Sequence, residues 1–381
     1  MSNTQDIRCV VFGPDHPNTL GAVRSLGEAG YRADAVIVRN SLRMVEYSRH
    51  VSSFFSFDSY VEALDFISDF YGNKPTERIF VITCDDEGAS LIDSRSGDLP
   101  DNFVIFKGAT SGIISHYINK HNINTLAKKH GLNVLPEVVT ENGVVPQGLT
   151  YPVITKSISP LVGGWKSDVF KCDNEEELCE AFKKIQAPTV LIQQYLKKKN
   201  ELCIDGFRCN GTTVITMVCK YLYLLDTAYS SYMSVENFHD DDLFKKIDSL
   251  LQEVDYEGIF CIEFLIAPDG ELFFCEVNFR NSGWSYVSTV AGMNLPDLWI
   301  KSVVNGKVPE EAVCKIKPGF TAIYELPDFS DRVIHGAFGL LKWLAEYRKA
   351  DCRLYLGKKD ARPFLMLLKQ KLKGKISKRN K

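Results

Sequence analysis

The sequence lacks the cysteine spacing of a metal-binding or disulfide-linked protein. None of its eleven cysteines forms a Cys-x-x-Cys pair, and Cys9, Cys261 and Cys275 lie within apolar runs. An odd number of cysteines in strand-like segments predicts reduced thiols in a cytosolic protein. The N-terminal segment has no basic region followed by a long apolar stretch, and no run reaches the roughly eighteen apolar residues of a membrane-spanning helix. We therefore expect a cytoplasmic protein.

The sequence also lacks an excess of positive charge. It has 45 Lys and Arg against 48 Asp and Glu, a net charge of −3, which argues against a strongly basic nucleic-acid-binding surface. Hydrophobic residues make up 45% and charged residues 24%, which excludes general disorder. At about 150 residues per domain, 381 residues predict two or three domains. We expect small-molecule substrates and no nucleic-acid partner.

The basic residues are concentrated at the C-terminus. The segment 358–381 carries ten Lys and Arg against one Asp, a net charge of +9, which leaves −12 on the rest of the chain. Apolar side chains such as Phe364, Leu368 and Leu372 are interleaved with this charge. Basic amphipathic helices bind anionic membrane surfaces, so peripheral contact with the inner face of a membrane is one interpretation. A docked helix followed by a solvated tail is the other.

The first part of the chain alternates strand and helix patterns. Apolar runs at 8–12, 33–38 and 78–83 are separated by segments with helical spacing. This alternation predicts a parallel sheet with helices on its faces, ending near residue 118. Strand-like segments dominate from 189 to 279, and the chain becomes helical again after Pro296. The fold class is therefore α/β, with α+β character in the middle.

Two strand-like segments carry paired acidic residues. Residues 259–266 and 271–279 have strand composition, and the four residues between them favour a turn. If Ile266 pairs with Glu271, Glu263 faces Phe274 and Glu276 lies on the diagonal from Glu263. The same alternation places Phe273 and Cys275 on the apolar face of the hairpin, opposite the acidic residues. Adjacent carboxylates on one face repel unless a cation lies between them.

A divalent metal would remove that repulsion. Glu263, Glu276 and Asn278 offer hard oxygen ligands, which suit Mg²⁺ or Mn²⁺, above all when phosphate oxygens complete the coordination. The alternative is a solvated polar face with an ion pair between Arg280 and a Glu.

The preceding segment contains groups that could hold a nucleotide. Lys156 lies in an apolar strand, where a phosphate would neutralise its ammonium. Gly163 and Gly164 could let backbone N–H groups approach anionic oxygens, although a Gly-Gly loop is more often a turn and Lys156 could extend to solvent. The backbone at 194–196 could contact an adenine edge with Glu201 near the ribose, or the segment could be an ordinary lysine-rich loop.

The order of these residues resembles the ATP-grasp superfamily. A lysine ending one helix (Lys120), a strand lysine (Lys156), a glycine-rich loop, a hinge, a second Glu (Glu201) and the pattern E…E-x-N-x-R occur in the same order as in that group. The resemblance implies an ATP-grasp fold with an N-terminal parallel α/β pre-ATP-grasp domain and a C-terminal helical basic extension. The implied domains are 1–118 (pre-ATP-grasp), 119–190 (small lobe), 191–310 (large lobe with the metal-binding hairpin) and 311–381 (extension).

The resemblance also implies a role for each residue. Lys120 and Lys156 would contact ATP phosphates, with Gly163 and Gly164 in the covering loop. The segment Gln193, Gln194, Tyr195 and Leu196 would contact adenine, with Glu201 on the ribose. Two Mg²⁺ (or Mn²⁺) ions would be held by Glu263, Glu276 and Asn278. Arg280, together with Lys156, would act on the transferred phosphoryl group. Gln193 departs from the pattern, because many members have Glu there.

Within the superfamily, the opening segment and the residues after Glu276 look most similar to the peptidoglycan D-aspartate ligase branch. This implies an ATP-dependent carboxylate–amine ligase that forms an amide through an acyl phosphate, acting on an amino acid and a cell-envelope or glycan precursor. A carbamoyl-phosphate-synthetase-like or carboxylase-like enzyme using bicarbonate is an alternative. A nucleotide-binding module without turnover at the membrane is another. A homodimer is also expected, because dimers are common in the superfamily.

Overall fold

The computed structural model describes residues 6–74, 76–225, 231–312 and 315–379. Its strands form three sheets. The strands are β1 (Asp6–Pro14), β2 (Ala33–Val38), β3 (Val51–Phe57), β4 (Glu77–Thr83), β5 (Phe103–Val104), β6 (Glu137–Glu141), β7 (Val153–Ser157), β8 (Lys171–Cys172), β9 (Thr189–Gln194), β10 (Asn200–Cys209), β11 (Thr212–Tyr221), β12 (Tyr232–Glu236), β13 (Gly258–Ile266), β14 (Leu272–Asn278), β15 (Phe320–Ile323) and β16 (Cys352–Arg353).

Helices connect and cover these sheets. They are α1 (Pro17–Glu28), α2 (Tyr60–Gly72), α3 (Asp86–Ser94), α4 (Ile113–Ile118), α5 (Lys120–Lys129), α6 (Glu175–Phe182), α7 (Asp241–Val254), α8 (Ser285–Val290), α9 (Leu295–Asn305), α10 (Glu325–Phe329), α11 (Leu340–Lys349) and α12 (Arg362–Arg379). Within the described residues, no helix combines the length and the apolar character needed to cross a membrane.

The first sheet is parallel throughout, in the order β3-β2-β1-β4-β5, as the alternating pattern predicts. Its central strand is buried on both faces. Cys9 and Val11 pack on the side of α1, whereas Val10 and Phe12 pack on the side of α2. A strand covered on both faces needs apolar residues at successive positions, which explains the unbroken run at its centre.

The second sheet is small and antiparallel, in the order β6-β9-β7-β8. Its apolar side chains, including Val153, Val190 and Ile192, pack against Leu178 and Phe182 of α6. The other face carries Lys156, which is half-buried. This face also carries Gln193 and Glu137, and Glu137 contacts helix α5 through Asn124.

The third sheet has seven strands in the order β14-β13-β10-β11-β12-β15-β16. The hairpin of β13 and β14 lies at one edge, where α5 packs against β14. The last two strands come from the segment expected to be helical, and β16 pairs parallel with β15. The C-terminal segment thus contributes strands as well as helices. The domain division at 118, 190 and 310 stays a prediction.

A buried arginine joins the C-terminal segment to the first sheet. The Arg24 side chain of α1 is fully buried and donates to the Asp360 carboxylate and to the carbonyls of Leu354 and Tyr355. Asp360 in turn accepts from the Ser48 hydroxyl. These bonds satisfy a cation that would otherwise be costly to bury, and they fix the base of α12.

The basic helix α12 is docked at its beginning. Leu367 is buried, and the Gln370 amide donates to the Arg43 carbonyl. Leu365 and Leu372 are exposed. Residues 380–381 of the basic tail lie outside the described residues. The ten cysteines that the structure describes are all free thiols, in agreement with the expectation from the sequence.

Candidate active site

The register of the β13–β14 hairpin differs from the prediction. Ile266 pairs with Leu272 rather than with Glu271. The reason is that the Ala267 N–H bonds to the Glu271 carbonyl, so the turn between these two residues is one residue shorter than the predicted turn between Ile266 and Glu271. A bulge then separates the Phe264–Phe274 pair from the next one. The predicted facing of Glu263 and Phe274, with Glu276 on the diagonal, is therefore wrong.

The bulge brings the two acidic residues into direct opposition. Beyond it, Glu263 pairs with Glu276 across the two strands. Directly opposed residues have their Cβ atoms about 4.5–5.5 Å apart, closer than any diagonal pair. The extra residue is Cys275, so Phe274 and not Phe273 packs in the core, with its ring 5.9 Å from that of Phe264. The predicted alternation of β14 is thus wrong before the bulge and correct after it.

The two carboxylates lie in different electrostatic environments. Burial, reinforced by the facing Glu276, raises the pKa of Glu263. The ammonium of Lys120, 2.9 Å from a Glu276 oxygen, lowers the pKa of Glu276. The Asn278 amide nitrogen lies 3.2 Å from the near oxygen of Glu263 and 3.5 Å from that of Glu276. A second cation is needed before both carboxylates can be ionised together at little cost.

Arg280 completes this cluster and connects it to the first sheet. Its guanidinium donates to the Asn278 side-chain oxygen at 2.7 Å and to the Asp86 carboxylate at 2.9 Å. Asp86 is the first residue of α3, which begins directly after β4. Asp86 therefore lies at the carboxyl ends of the parallel strands of the first sheet, and from there its carboxylate reaches Arg280 next to the hairpin.

Lys156 lies in a second polar group on the small sheet. Its ammonium donates to the Gln193 side-chain oxygen at 2.8 Å, since β7 and β9 are neighbours. The Gln193 nitrogen donates to Glu137, the first residue of β6, at 3.3 Å. Glu137 also accepts from Asn124 and lies 3.2 Å from the His121 ring nitrogen. His121 and Asn124 share α5 with Lys120, so one helix supports both lysines.

The structure gives the two loop glycines a packing role. The Gly164 N–H donates to the buried Asp168 carboxylate at 2.8 Å, which also accepts from the backbone of Gln186 and Ala187. A Cβ at Gly163 would lie 2.5 Å from that of Ala187, and the φ of Gly163 is +76°. The close approach to Ala187 and the positive φ both require glycine at position 163, regardless of any ligand. Phosphate contact by this loop stays a prediction, and it would have to use backbone groups other than the Gly164 N–H.

The hinge segment connects the small sheet to the large one. The N–H groups of Gln194 and Tyr195 donate to the carbonyls of Pro136 and Pro152, and the Lys171 ammonium lies 5.1 Å from the Tyr195 ring centre. Leu196 follows and is half-buried. The Glu201 carboxylate, at the start of β10, pairs with the Lys198 ammonium at 2.5 Å.

The acidic pair is compatible with a magnesium site that phosphate completes. Among the residues described, no three or more His, Cys, Asp or Glu side chains are grouped to hold a metal by themselves. Glu263, Glu276 and Asn278 supply two carboxylates and one amide. Mg²⁺ commonly takes one or two carboxylates and fills its remaining positions with water and substrate phosphates. These residues therefore fit an ion that arrives with a nucleotide.

The sequence interpretation missed several residues of this region. Asp86 begins the helix that follows a buried strand, three residues after the strand ends, a position that could have revealed it. Glu137 carries no comparable signal, because its role depends on pairing between strands distant in sequence. His16 caps α1, where its ring nitrogen accepts from the Asn18 N–H.

Comparisons with known proteins show what part of the chain is similar to. Residues 186–324 match a family model described as "ATP-grasp in the biosynthetic pathway with Ter operon". This range includes the hinge, Glu201 and the whole acidic hairpin. In this range the chain is similar to the ATP-grasp family. A D-alanine–D-alanine ligase of Fusobacterium nucleatum is 30% identical over 137 residues, and the chain spans 45% of the length of that curated relative.

Solved structures share the ATP-grasp fold over most of the chain. An L-amino acid ligase from Bacillus licheniformis has a TM-score of 0.62 and 16% identity, covering 84% of this chain and 79% of that one. The ADP complex of N5-carboxyaminoimidazole synthetase from Staphylococcus aureus has a TM-score of 0.62 and 16% identity, with 87% and 85% covered. Biotin carboxylase from Campylobacter jejuni has a TM-score of 0.63 and 16% identity, with 83% and 75% covered.

Proposed function

We propose that the chain is an ATP- and Mg²⁺-dependent carboxylate–amine ligase that forms an amide bond through an acyl phosphate. The observation that carries the proposal is the direct opposition of Glu263 and Glu276, with Lys120 and Arg280 bound to the same cluster. Opposed carboxylates are costly in a sheet without a bound cation. A structural role alone gives no reason to place them there with two cationic side chains.

The three cations of the site would bind the triphosphate by exchanging partners. Lys120 is now paired with Glu276, Lys156 with Gln193, and Arg280 with Asp86 and Asn278. Phosphate oxygens would replace these acceptors. Mg²⁺ held by Glu263, Glu276 and Asn278 would neutralise the charge of the phosphates during the transfer. Gln193 to Leu196 would contact adenine and Glu201 the ribose.

In this reaction a carboxylate oxygen of the substrate attacks the γ-phosphorus, and the bond to the β–γ bridging oxygen breaks to release ADP. The amine then attacks the acyl carbon, phosphate leaves, and the amine loses a proton. Lys156 and Arg280 would stabilise the negative charge on the transferred group. The Gly163–Gly164 loop would exclude water from the acyl phosphate.

An amino acid is the proposed carboxylate substrate. The names of the D-alanine–D-alanine ligase and the L-amino acid ligase support this choice. Bicarbonate is the competing substrate, because biotin carboxylase shares the fold. We further propose two metal ions, an envelope or glycan precursor as the amine, a homodimer, and membrane contact through 358–381.

The test is ADP release from the full chain over a panel of D- and L-amino acids and bicarbonate, with and without candidate amines. ADP formed with an amino acid alone, and captured as a hydroxamate by hydroxylamine, supports the acyl phosphate. Glu276→Gln should abolish turnover, whereas Glu271→Gln, an exposed residue of the same hairpin that bonds only to Asn133 among the described side chains, should retain it. Turnover that survives Glu276→Gln contradicts the proposal.

Membrane contact is tested separately by sedimentation with vesicles. The full chain should pellet with vesicles rich in anionic lipid and not with neutral ones, and less at high salt, since the attraction is electrostatic. A truncation before Pro363 that pellets equally well contradicts a role for α12.

A further inference from the structure

A continuous chain of hydrogen-bonded side chains runs from Lys156 across one face of the small sheet to helix α5. The Gln193 side-chain oxygen accepts from the Lys156 ammonium at 2.8 Å, and its nitrogen donates to Glu137 at 3.3 Å. Glu137 is held in place by Asn124 at 2.5 Å and by the His121 ring nitrogen at 3.2 Å. The Glu137 side chain is only 2% exposed. Gln193 therefore lies between a fixed carboxylate and a lysine.

These two neighbours determine which end of the Gln193 amide faces which way. An ionised carboxylate only accepts hydrogen bonds, and an ammonium only donates them. The nitrogen must point to Glu137 and the oxygen to Lys156, because the reversed amide would place donor against donor and acceptor against acceptor. Gln193 is 5% exposed, so water cannot relieve such a mismatch. The orientation follows from the chemistry of the neighbours and not from how the amide is drawn.

Nucleotide binding changes the balance between the two neighbours. In the proposed function, on which this inference rests, Lys156 moves to a phosphate. Glu137 is then the neighbour that keeps the Gln193 nitrogen turned inward and its oxygen turned to the hinge. A carbonyl oxygen has two lone pairs, so it can accept from a base at that point. An amino group on the base satisfies it, whereas a carbonyl group on the base meets it oxygen to oxygen.

We propose that Glu137, acting through Gln193, determines the base specificity of this site by selecting a purine with an amino group at position 6 over one with a carbonyl there. Glu137 is a positioning residue in this proposal, since it acts on the base only through the amide. Its contribution is the direction of one hydrogen bond. A neutral amide at position 193 has two different ends, so the site needs a fixed acceptor behind it to remain selective.

The experiment measures the dissociation constants of Mg·ATP and Mg·ITP by calorimetry on the full chain, without other substrates. ITP differs from ATP in carrying a carbonyl at position 6. The wild-type protein should prefer ATP, and Glu137→Gln should reduce the ratio of the two constants by about tenfold, the worth of one hydrogen bond. An amide in place of the Glu137 carboxylate can donate as well as accept, so it can pair with either end of Gln193.

The exchanged double variant Glu137→Gln/Gln193→Glu provides the decisive control. A carboxylate at position 193 has no donating end, so the preference for ATP should return. If Glu137→Gln does not fold, as judged by thermal unfolding, Gln193→Met serves instead. It should weaken ATP binding without weakening ITP binding, because methionine removes both the acceptor for an amino group and the oxygen that opposes a carbonyl. A merely structural role of Glu137 would lower affinity for both nucleotides without changing their ratio.

Each outcome bears on a different claim. A wild-type protein that binds neither nucleotide overturns the proposed function. A wild-type protein that binds ATP and ITP equally, or a ratio that Glu137→Gln leaves unchanged, overturns the role of Glu137 and leaves the proposed function standing. A double variant that stays unselective also overturns it.

Discussion

The Lys120–Glu276 ion pair offsets the repulsion between Glu263 and Glu276 before any ligand binds. Removing the charge of Lys120 therefore tests the electrostatics of the site directly. We consider Lys120→Met, which keeps the length of the side chain and removes its charge. The ammonium lies 2.9 Å from a Glu276 oxygen, and the two side chains are 18% and 31% exposed. Without it, Glu263 and Glu276 still face each other, but the ion pair that compensates Glu276 is lost.

The magnitude follows from the burial of the pair. Breaking a fully buried ion pair costs about 3–5 kcal/mol, because it leaves an uncompensated charge. Partial exposure of both side chains allows water to screen that charge, so we expect a loss of about 2–3 kcal/mol near neutral pH. At pH 5 the loss should be smaller. In the wild-type protein, the lowered pKa of Glu276 contributes stability above its ordinary value of about 4.3.

The variant reverses that contribution. With Lys120 absent, the opposed carboxylates retain a proton in the folded state, and a raised pKa stabilises at low pH and is lost as pH rises. Millimolar Mg²⁺ without nucleotide should then stabilise Lys120→Met more than the wild type, since the ion takes the place of the ammonium. Thermal unfolding at pH 5 and pH 8, with and without Mg²⁺, measures both effects.

Lys129→Met is the matched control for this experiment. Lys129 is on the same helix and pairs with Glu253, but its side chain is 63% exposed, so the change should have little effect. Equal unfolding temperatures for Lys120→Met and the wild type at both pH values would refute the electrostatic reasoning. So would an equal Mg²⁺ response of the two proteins.

Three further predictions concern the rest of the chain. Arg24→Ala should destabilise the protein by about 3–5 kcal/mol in denaturant unfolding, because Asp360 is left buried without its cation, whereas Arg39→Ala, at an exposed pair, should change nothing measurable. Burial alone would raise the pKa of Asp360, but the hydrogen bonds that this carboxylate accepts and the charge of Arg24 lower the pKa below its ordinary value. The ionised Asp360 therefore stabilises the fold above pH about 4, and this stabilisation is lost as the pH falls. Asp360→Asn should make the unfolding temperature less dependent on pH in the acid range. Gly163→Ala should destabilise by about 1–3 kcal/mol, since the new Cβ meets a methyl group at 2.5 Å and the backbone is left-handed, and Gly97→Ala, with open space around it, should unfold like the wild type.

The acidic hairpin shows how far a sequence pattern reaches. Alternation correctly assigns β13 and β14 and places Glu263 beside Glu276, because both features depend on residues near each other in the chain. The alternation cannot locate the bulge at Cys275, which changes the predicted diagonal contact into a direct one. The position of a bulge depends on how the turn closes and on which phenylalanine packs in the core, and the two-residue repeat of a strand predicts neither.

The glycine loop and the hinge show a different limit. Two successive glycines and a strand lysine predict a flexible phosphate contact. The structure adds the buried Asp168, which uses the Gly164 N–H, and the acceptor that Gln193 offers to Lys156. The sequence separation of these partners is modest, but only the fold brings them within hydrogen-bonding distance.

By itself, the amino-acid sequence determined the alternation of strands and helices at the start, the acidic hairpin, the order of the site residues and the uneven charge, because each is a property of composition or of short-range periodicity. The tertiary structure decided that Asp86 reaches Arg280, that α5 supports both lysines, and that Glu137 fixes the orientation of Gln193. These contacts join segments up to 194 residues apart. Such contacts depend on how sheets and helices pack together, and no local pattern encodes that packing.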